Sequence, residues 1–312
     1  MENSTEVAAF LLLGLTDDPR LRLPLFLTFL LIYAITVLGN LGLVLLILLD
    51  PSLHSPMYFF LGNLALVDFC YSSSVTPTAV AGLFTGGDQV ISYTACVAQM
   101  FSFAVFASAE NCLLAAMAYD RYAAVCKPLH YTSTMTTKVC TWLIIACYAV
   151  AFLSASTYAA ATFSLPFCKS NIIHHFFCDI PAVMVLSCSD KNHHELIVVY
   201  VGSVNIIFAL LIVGVSYSFI FITILRIHSE AGHSKAFSTC ASHLTAVSIF
   251  YGPGIFMYLQ PSSSHSMDTD KIASVFYTMV LPMLNPVVYS LRNKEVKSAF
   301  LKVKSRFICW TK

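Results

Sequence analysis

Residues 96–126 read CVAQMFSFAVFASAENCLLAAMAYDRYAAVC, and this stretch decides the fold. Between Val97 and Tyr119 the only charged residue is Glu110. The length suits a membrane-crossing helix of about 20 residues. Cys96 stands at its start, a lone acid in its middle, and Asp120-Arg121-Tyr122 at its end. Three chemistries at three depths suggest a transmitter more than an anchor.

The rest of the chain agrees. Of 312 residues, 58% are hydrophobic and 11% charged, and the mean hydropathy is +0.77. Soluble domains carry about 25% charged residues, so this is an all-α membrane protein. Seven stretches are long and almost free of charge, at roughly 23–49, 57–84, 93–119, 139–161, 196–225, 236–259 and 272–291. Each matches the length a helix needs to cross a bilayer. Lipid satisfies no backbone group, so each must be a helix or part of a closed barrel. The runs are continuously apolar and do not alternate, which excludes the barrel. The chain is expected to form one unit: an outer N-terminus at 1–22, a seven-helix bundle at 23–291, and a tail at 292–312.

Orientation follows from Lys and Arg. With the N-terminus outside, 12 of the 17 fall inside and 5 outside. The positive-inside rule therefore favours N-out and C-in, and much of the bias comes from the tail. No cleavable leader is visible: Met1-Glu2 has no basic start and the apolar run Val7–Leu13 is short. Asn3-Ser4-Thr5 is a glycosylation acceptor on that outer end. In the tail, Val296, Phe300, Val303 and Phe307 form one apolar stripe opposite basic residues, predicting a short amphipathic helix on the inner membrane surface. A net charge of +1 gives no sign of a nucleic-acid partner.

Two acids reach one depth. Asp68 lies 11 residues after Met57, and Glu110 lies 11 before Arg121. Each is thus ~16 Å from the inner end. Two bare carboxylates cannot both stay ionised there, so one is protonated or a cation sits between them. Asn40 in the first span also needs a partner. The long loop at about 162–195 holds Cys168, Cys178 and Cys188. With Cys96 they make four outward cysteines, which allow three pairings. His174-His175 and His193-His194 lie in the same region and read as ordinary surface on a solvated loop.

Five motifs carry a resemblance over nearly the whole chain. LHSPMYFFLGNLALVD at 53–68, MAYDRYAAVC at 117–126, KAFSTCASHL at 235–244, Phe250-Tyr251-Gly252 and PMLNPVVYSLRN at 282–293 resemble the olfactory receptors of the rhodopsin-like G-protein-coupled receptors, class II type. The chain departs slightly from the pattern in having Ser55 where Thr is usual. The resemblance implies a receptor in the plasma membrane of olfactory cilia, and not an enzyme. It implies a small volatile ligand and an olfactory stimulatory G protein that raises cyclic AMP. It selects the disulfides Cys96–Cys178 and Cys168–Cys188. It implies no cofactor, but a sodium ion at Asp68 and Glu110 in inactive states. It assigns Asp120 as partner of Arg121, with Tyr217, His243 and Tyr289 completing an inner switch. Arg121 and His243 would hold the sixth span closed at rest, and Tyr217 would take over Arg121 on activation.

Helical spacing supplies the cavity candidates. On the third span these are Met100, Phe103, Ala104, Ala107, Ser108 and Asn111. On the fifth they are Val198, Val201, Gly202 and Asn205. Tyr251, Ile255 and Tyr258 line the sixth, and Ser274 and Thr278 the seventh. None is charged, so the expected ligand is neutral, oriented by one or two hydrogen bonds. Phe103 stands where similar amine receptors carry an Asp. Other classes fit less well. A transporter would show two related halves, and seven spans do not divide so. An intramembrane enzyme would surround its acids with a catalytic motif, and none is present. A metabolite receptor of the same fold remains the alternative.

Overall fold

The computed structural model describes residues 8–16, 18–168, 170–226, 240–253 and 267–310, without the side chains of 267–270, 290–292, 294 and 306–310. The long helices are α1 (Pro19–Leu49), α2 (Pro56–Thr85), α3 (Tyr93–Cys126), α5 (Thr137–Phe163) and α7 (Asn192–Leu225). They are joined by α8 (240–253), α9 (Met267–Val275) and α10 (Leu281–Arg292), with the short α4 (Tyr131–Thr134) and α6 (Ile180–Met184) in the connections. A last helix, α11 (Lys294–Trp310), falls where the tail stripe predicted one.

Local chemistry sets the ends. Asp18 caps α1 by accepting from the Arg20 N–H, with Pro19 in the first turn. Ser92 caps α3 through Ala95, and Thr136 caps α5 through Val139. These side-chain acceptors satisfy backbone donors that a helix start leaves orphaned. Gly86, at φ 114°, ends α2 in the left-handed conformation that a side chain disfavours. The spans accordingly run longer than the apolar runs: α1 starts at Pro19, and α3 continues to Cys126.

Among the described residues, α1, α3, α5, α7 and Lys271–Tyr289 are long and apolar enough to cross a membrane. The pattern of burial is the reverse of a soluble protein's. Leu38 is 74% exposed and Phe208 66%, while Asp68 and Glu110 are fully buried. A surface of that kind suits lipid.

The chain is not purely helical. At the disulfide end, β1 (Ala9–Leu12) pairs antiparallel with β2 (Gln89–Ser92) and parallel with β3 (Ile172–Ile173). Phe10 and Leu12 are buried against Cys96, Met100, Ile173 and Cys178. Gly14 follows, and a Cβ there would lie 2.3 Å from the Gly87 carbonyl oxygen. Lys271 donates to the Gly14 carbonyl at 3.0 Å. The apolar run near the N-terminus is therefore the centre of a three-stranded cap.

The seventh span also departs from regular helix. A π-turn, Phe276–Val280, separates α9 from α10. Just beyond it, the Pro282 carbonyl accepts from Asn40 Nδ2 at 3.0 Å. That bond is the partner Asn40 required. Gly39 beside it faces the Pro286 ring, with 3.2 Å from a would-be Cβ to Cγ. Gly39 and Asn40 thus seat α1 on α10 at close approach.

Candidate functional site

The cap lies over a cluster of aromatic rings. Phe103 stacks on Tyr71 at 5.1 Å and tilts against Phe177 at 5.2 Å. Met100 turns away into the cap cluster, and Ala104 packs with Ala155 and Tyr158. Ala107 and Ser108 are half-buried on the same helix. On α7, Val198, Val201, Gly202 and Asn205 are half-buried, while Val199, Val204 and Phe208 are exposed. The predicted face of α7 is thus the one turned to the bundle. Tyr158 of α5 stands opposite Gly202, with its hydroxyl 3.4 Å from a would-be Cβ. Asn3, Ile255 and Tyr258 lie outside the described residues.

Several polar candidates are already engaged with one another. Tyr251 donates to Asn111 Oδ1, and Asn111 Nδ2 donates to the Asn205 carbonyl at 3.2 Å. Asn205 Nδ2 donates to Ser154 Oγ at 2.9 Å. This relay links α8, α3, α7 and α5. Buried amides need such partners. Asn111 and Asn205 therefore join helices here, and their free hydrogen-bonding capacity toward a ligand is smaller than spacing alone suggests. Thr278 is fully buried and donates to the Ser274 carbonyl one turn back.

Ser274 lies 3.2 Å from His175 Nε2 and 2.8 Å from the Tyr277 hydroxyl. The sequence reading placed His175 on the surface, but it is 5% exposed and lies against Phe176 and Phe177. Its neighbours Phe176-Phe177 are the signal that marks it as loop folded inward. Burial, followed by the nearby Lys271 charge, pulls the His175 pKa down to about 4. The ordinary value is about 6.5. The unfolded chain therefore binds the proton more readily between those limits. The contribution is whole above about pH 6.5 and is lost as pH falls toward 4. Between pH 7.5 and pH 5 the protein should lose on the order of 2 kcal/mol through this group. Melting of the wild type and of His175→Gln at both pH values checks this. An equal acid shift in the two proteins would contradict it.

Gln99 was not foreseen. Its Nε2 donates to the Ser74 carbonyl and to Thr78 Oγ1, and its Oε1 accepts from the Cys178 N–H at 2.9 Å. It ties the loop cysteine to α2. Cys178 is paired with Cys96, and Cys168 with Cys188.

Deeper in the bundle, Asn285 Nδ2 donates to Asp68 Oδ2 at 2.9 Å and to Glu110 Oε1 at 3.1 Å. The two carboxyls also lie within hydrogen-bonding reach of each other. Three helices thus meet at one depth around an amide, with two carboxyls side by side. Hard cations prefer such oxygen ligands, so the residues present fit a small cation.

At the far end, Arg121 pairs with Asp120, and Tyr131 donates to Asp120 Oδ1 at 2.7 Å. His243 does not reach Arg121. Its Nε2 lies 3.0 Å from the Leu114 carbonyl, and its Nδ1 2.8 Å from the Tyr217 hydroxyl. A carbonyl only accepts, so Nε2 carries the proton and Nδ1 accepts from Tyr217. His243 therefore clasps α8 to α3 and α7. Tyr217 is held by His243 and is not idle. The Tyr289 hydroxyl is buried with no hydrogen-bond partner.

Comparison with known proteins agrees with this architecture. A family model described as olfactory receptor matches residues 29–306. Olfactory receptor 5B3 of Homo sapiens is 68% identical over 303 residues, covering 97% of this chain and 96% of the relative. Olfactory receptor 5B2 of Homo sapiens is 65% identical, covering 98% of the chain and 99% of the relative. Olfactory receptor 5B21 of Mus musculus is 61% identical, covering 98% and 96%. With a seven-helix membrane architecture, five sequence motifs in order and a match along most of its length, the chain belongs to the olfactory receptor family.

Proposed function

We propose that this receptor detects a small neutral volatile molecule beneath the cap and activates an olfactory stimulatory G protein, raising cyclic AMP. Family membership carries the odorant ligand and G-protein coupling. The neutrality of the ligand rests on the uncharged cavity face, above all on Phe103 between Tyr71 and Phe177. Ser108 is the polar group offered to it, since Asn111 and Asn205 are tied to other helices and Ser274 to His175 and Tyr277. The N-terminus faces outward in the plasma membrane, and the Arg121 end meets the G protein. A cyclic AMP screen of volatile libraries tests the reading. A best ligand that is a permanent cation would overturn it.

The arrangement described is, in this reading, the resting one. His243 holds α8 against Leu114 and Tyr217, and activation breaks that clasp. Arg121 and Tyr217 would then be free to meet, with the unpaired Tyr289 hydroxyl close to the new partners. Sodium between Asp68 and Glu110 would favour rest, since it would bridge the two carboxyls and hold α2 to α3. Each hydrogen bond to His243 is worth about 1 kcal/mol. His243→Phe should therefore raise ligand-free cyclic AMP roughly fivefold for each bond lost. Arg121→Ala should be silent at normal surface density. Full signalling by Arg121→Ala together with unchanged basal activity in His243→Phe would remove the switch from the mechanism.

A further inference from the structure

Two thiols meet inside the bundle, apart from the residues assigned above. α3 ends at the Arg121 side and α5 starts there, so the two helices run antiparallel. Ala104 of α3 packs with Ala155 of α5. Eight residues further along α3 is Cys112, and eight residues back along α5 is Cys147. The register sets one cysteine against the other, and the two side chains lie within hydrogen-bonding reach. Cys112 is half-buried and Cys147 buried. Cys112 stands nine residues before Arg121, which is ~13 Å of helix. In a hydrocarbon core about 30 Å thick, that is close to the midplane. Other described thiols are engaged elsewhere: Cys140 donates to the Met135 carbonyl, and Cys126 shares a hydrogen bond with Thr223 Oγ1.

We propose that Cys112 and Cys147 form a redox site of the bilayer interior, oxidised by a lipid hydroperoxide to a disulfide that joins α3 to α5. At this depth the oxidant has to dissolve in lipid. A charged disulfide such as oxidised glutathione stays in water, whereas a hydroperoxide on an unsaturated acyl chain lies in the same layer as the thiols. The Cys112 sulfur, the more open of the two, attacks the outer oxygen of the O–O bond. That bond breaks, the Cys112 proton goes to the departing lipid oxygen, and a sulfenic acid and a lipid alcohol result. The Cys147 sulfur then attacks the Cys112 sulfur. The sulfenic oxygen leaves as water with the Cys147 proton, and the S–S bond closes at about 2.0 Å. In all, two thiols give up two electrons and one hydroperoxide takes them.

The bridge bears on the polar relay. Asn111, the residue before Cys112, accepts from Tyr251 of α8 and donates to the Asn205 carbonyl of α7. Tying α3 to α5 fixes Asn111 where those bonds are made. Oxidation therefore holds the arrangement read above as resting. That effect rests on the proposed function, while the disulfide itself does not.

The test uses the full receptor in phosphatidylcholine nanodiscs that carry a phosphatidylcholine hydroperoxide. Free thiols are read site by site by alkylating the denatured chain, and peptides are mapped without reduction. Cys112 and Cys147 should lose alkylation together, about fivefold or more faster than Cys70 and Cys140, because oxidation is site-selective. A cross-linked peptide pair holding both cysteines should appear. Oxidised glutathione should produce neither result. In Cys147→Ser, Cys112 should stop at the sulfenic acid, trapped by a cyclic dione. In Cys112→Ser, Cys147 should stay reduced. Loss of all thiols at one rate, or oxidation without the cross-link, would overturn the site. The peptide map needs neither a variant nor a G protein, so it decides the matter even if a variant misfolds or the coupling proposed above fails. With an olfactory stimulatory G protein added, oxidation should lower basal nucleotide exchange roughly twofold in the wild type and not in Cys147→Ser. Cross-linking with unchanged exchange would overturn the link to Asn111.

Discussion

Asn285→Leu is expected to strip the receptor from the cell surface. The side chains are similar in size, so little packing is lost. What disappears is the one amide donor that serves both Asp68 and Glu110. Both acids are fully buried, side by side. Removing a partner from a buried polar group costs roughly 1–3 kcal/mol, and more for a charged one. Two groups are affected together, against a total stability of only about 5–15 kcal/mol. Surface staining in cells and melting in detergent read the result. Melting at fixed ionic strength, with sodium replaced by a large organic cation, adds a second reading. If a sodium ion lies between the acids, the variant should regain part of its stability in sodium. Normal surface density and unchanged melting would show that the amide does not hold the acids together.

Cys178→Ser should be almost as damaging. The disulfide to Cys96 spans 82 residues of sequence. Closing a loop of that length in the unfolded chain is worth about 4–5 kcal/mol in the chain-entropy account. The cysteine is also fully buried beside Phe10, Leu12 and Met100, and its N–H holds Gln99. Losing the link frees the loop that packs Phe177 on Phe103. The variant should be retained in the cell, and any fraction reaching the surface should respond weakly. Cys188→Ser should be milder, because its partner lies only 20 residues away and the residue is exposed. The order of severity is the sharper check. A normal response from Cys178→Ser would contradict the structural role.

The helical framework was legible because lipid allows so few solutions. Continuous apolar runs had to become helices, and the depth of Asp68 and Glu110 followed from counting residues along them. The pairing of the two acids with Asn285 needed a third helix, whose rotation no spacing gives. β1 was not legible for a related reason: Phe10 and Leu12 find partners at Ile91 and Ile173, far along the chain. His175 was misread because adjacent histidines in a loop look solvated until the two phenylalanines after them turn inward. Asn111 and Asn205 were placed on the correct faces, yet their bonds to each other and to Ser154 were hidden. Periodicity tells which way a side chain points and not what it meets. His243 was located at the proper depth, while its partners proved to be Leu114 and Tyr217, not Arg121.

The strand cap also sets a timetable for making the protein. Ala9–Leu12 leaves the ribosome before any of its partners exists. Its antiparallel partner, Gln89–Ser92, comes about 80 residues later, and Ile172–Ile173 about 160 residues later. At roughly 5–20 residues per second, that interval is many seconds. During it, an apolar strand with Phe10 and Leu12 uncovered waits with both edges unpaired, a template for pairing with another chain. On the orientation proposed above, the wait would take place in the lumen of the secretory pathway. Until residue 173 has been made, Ala9–Leu12 is therefore the stretch of the cap most open to pairing with another chain.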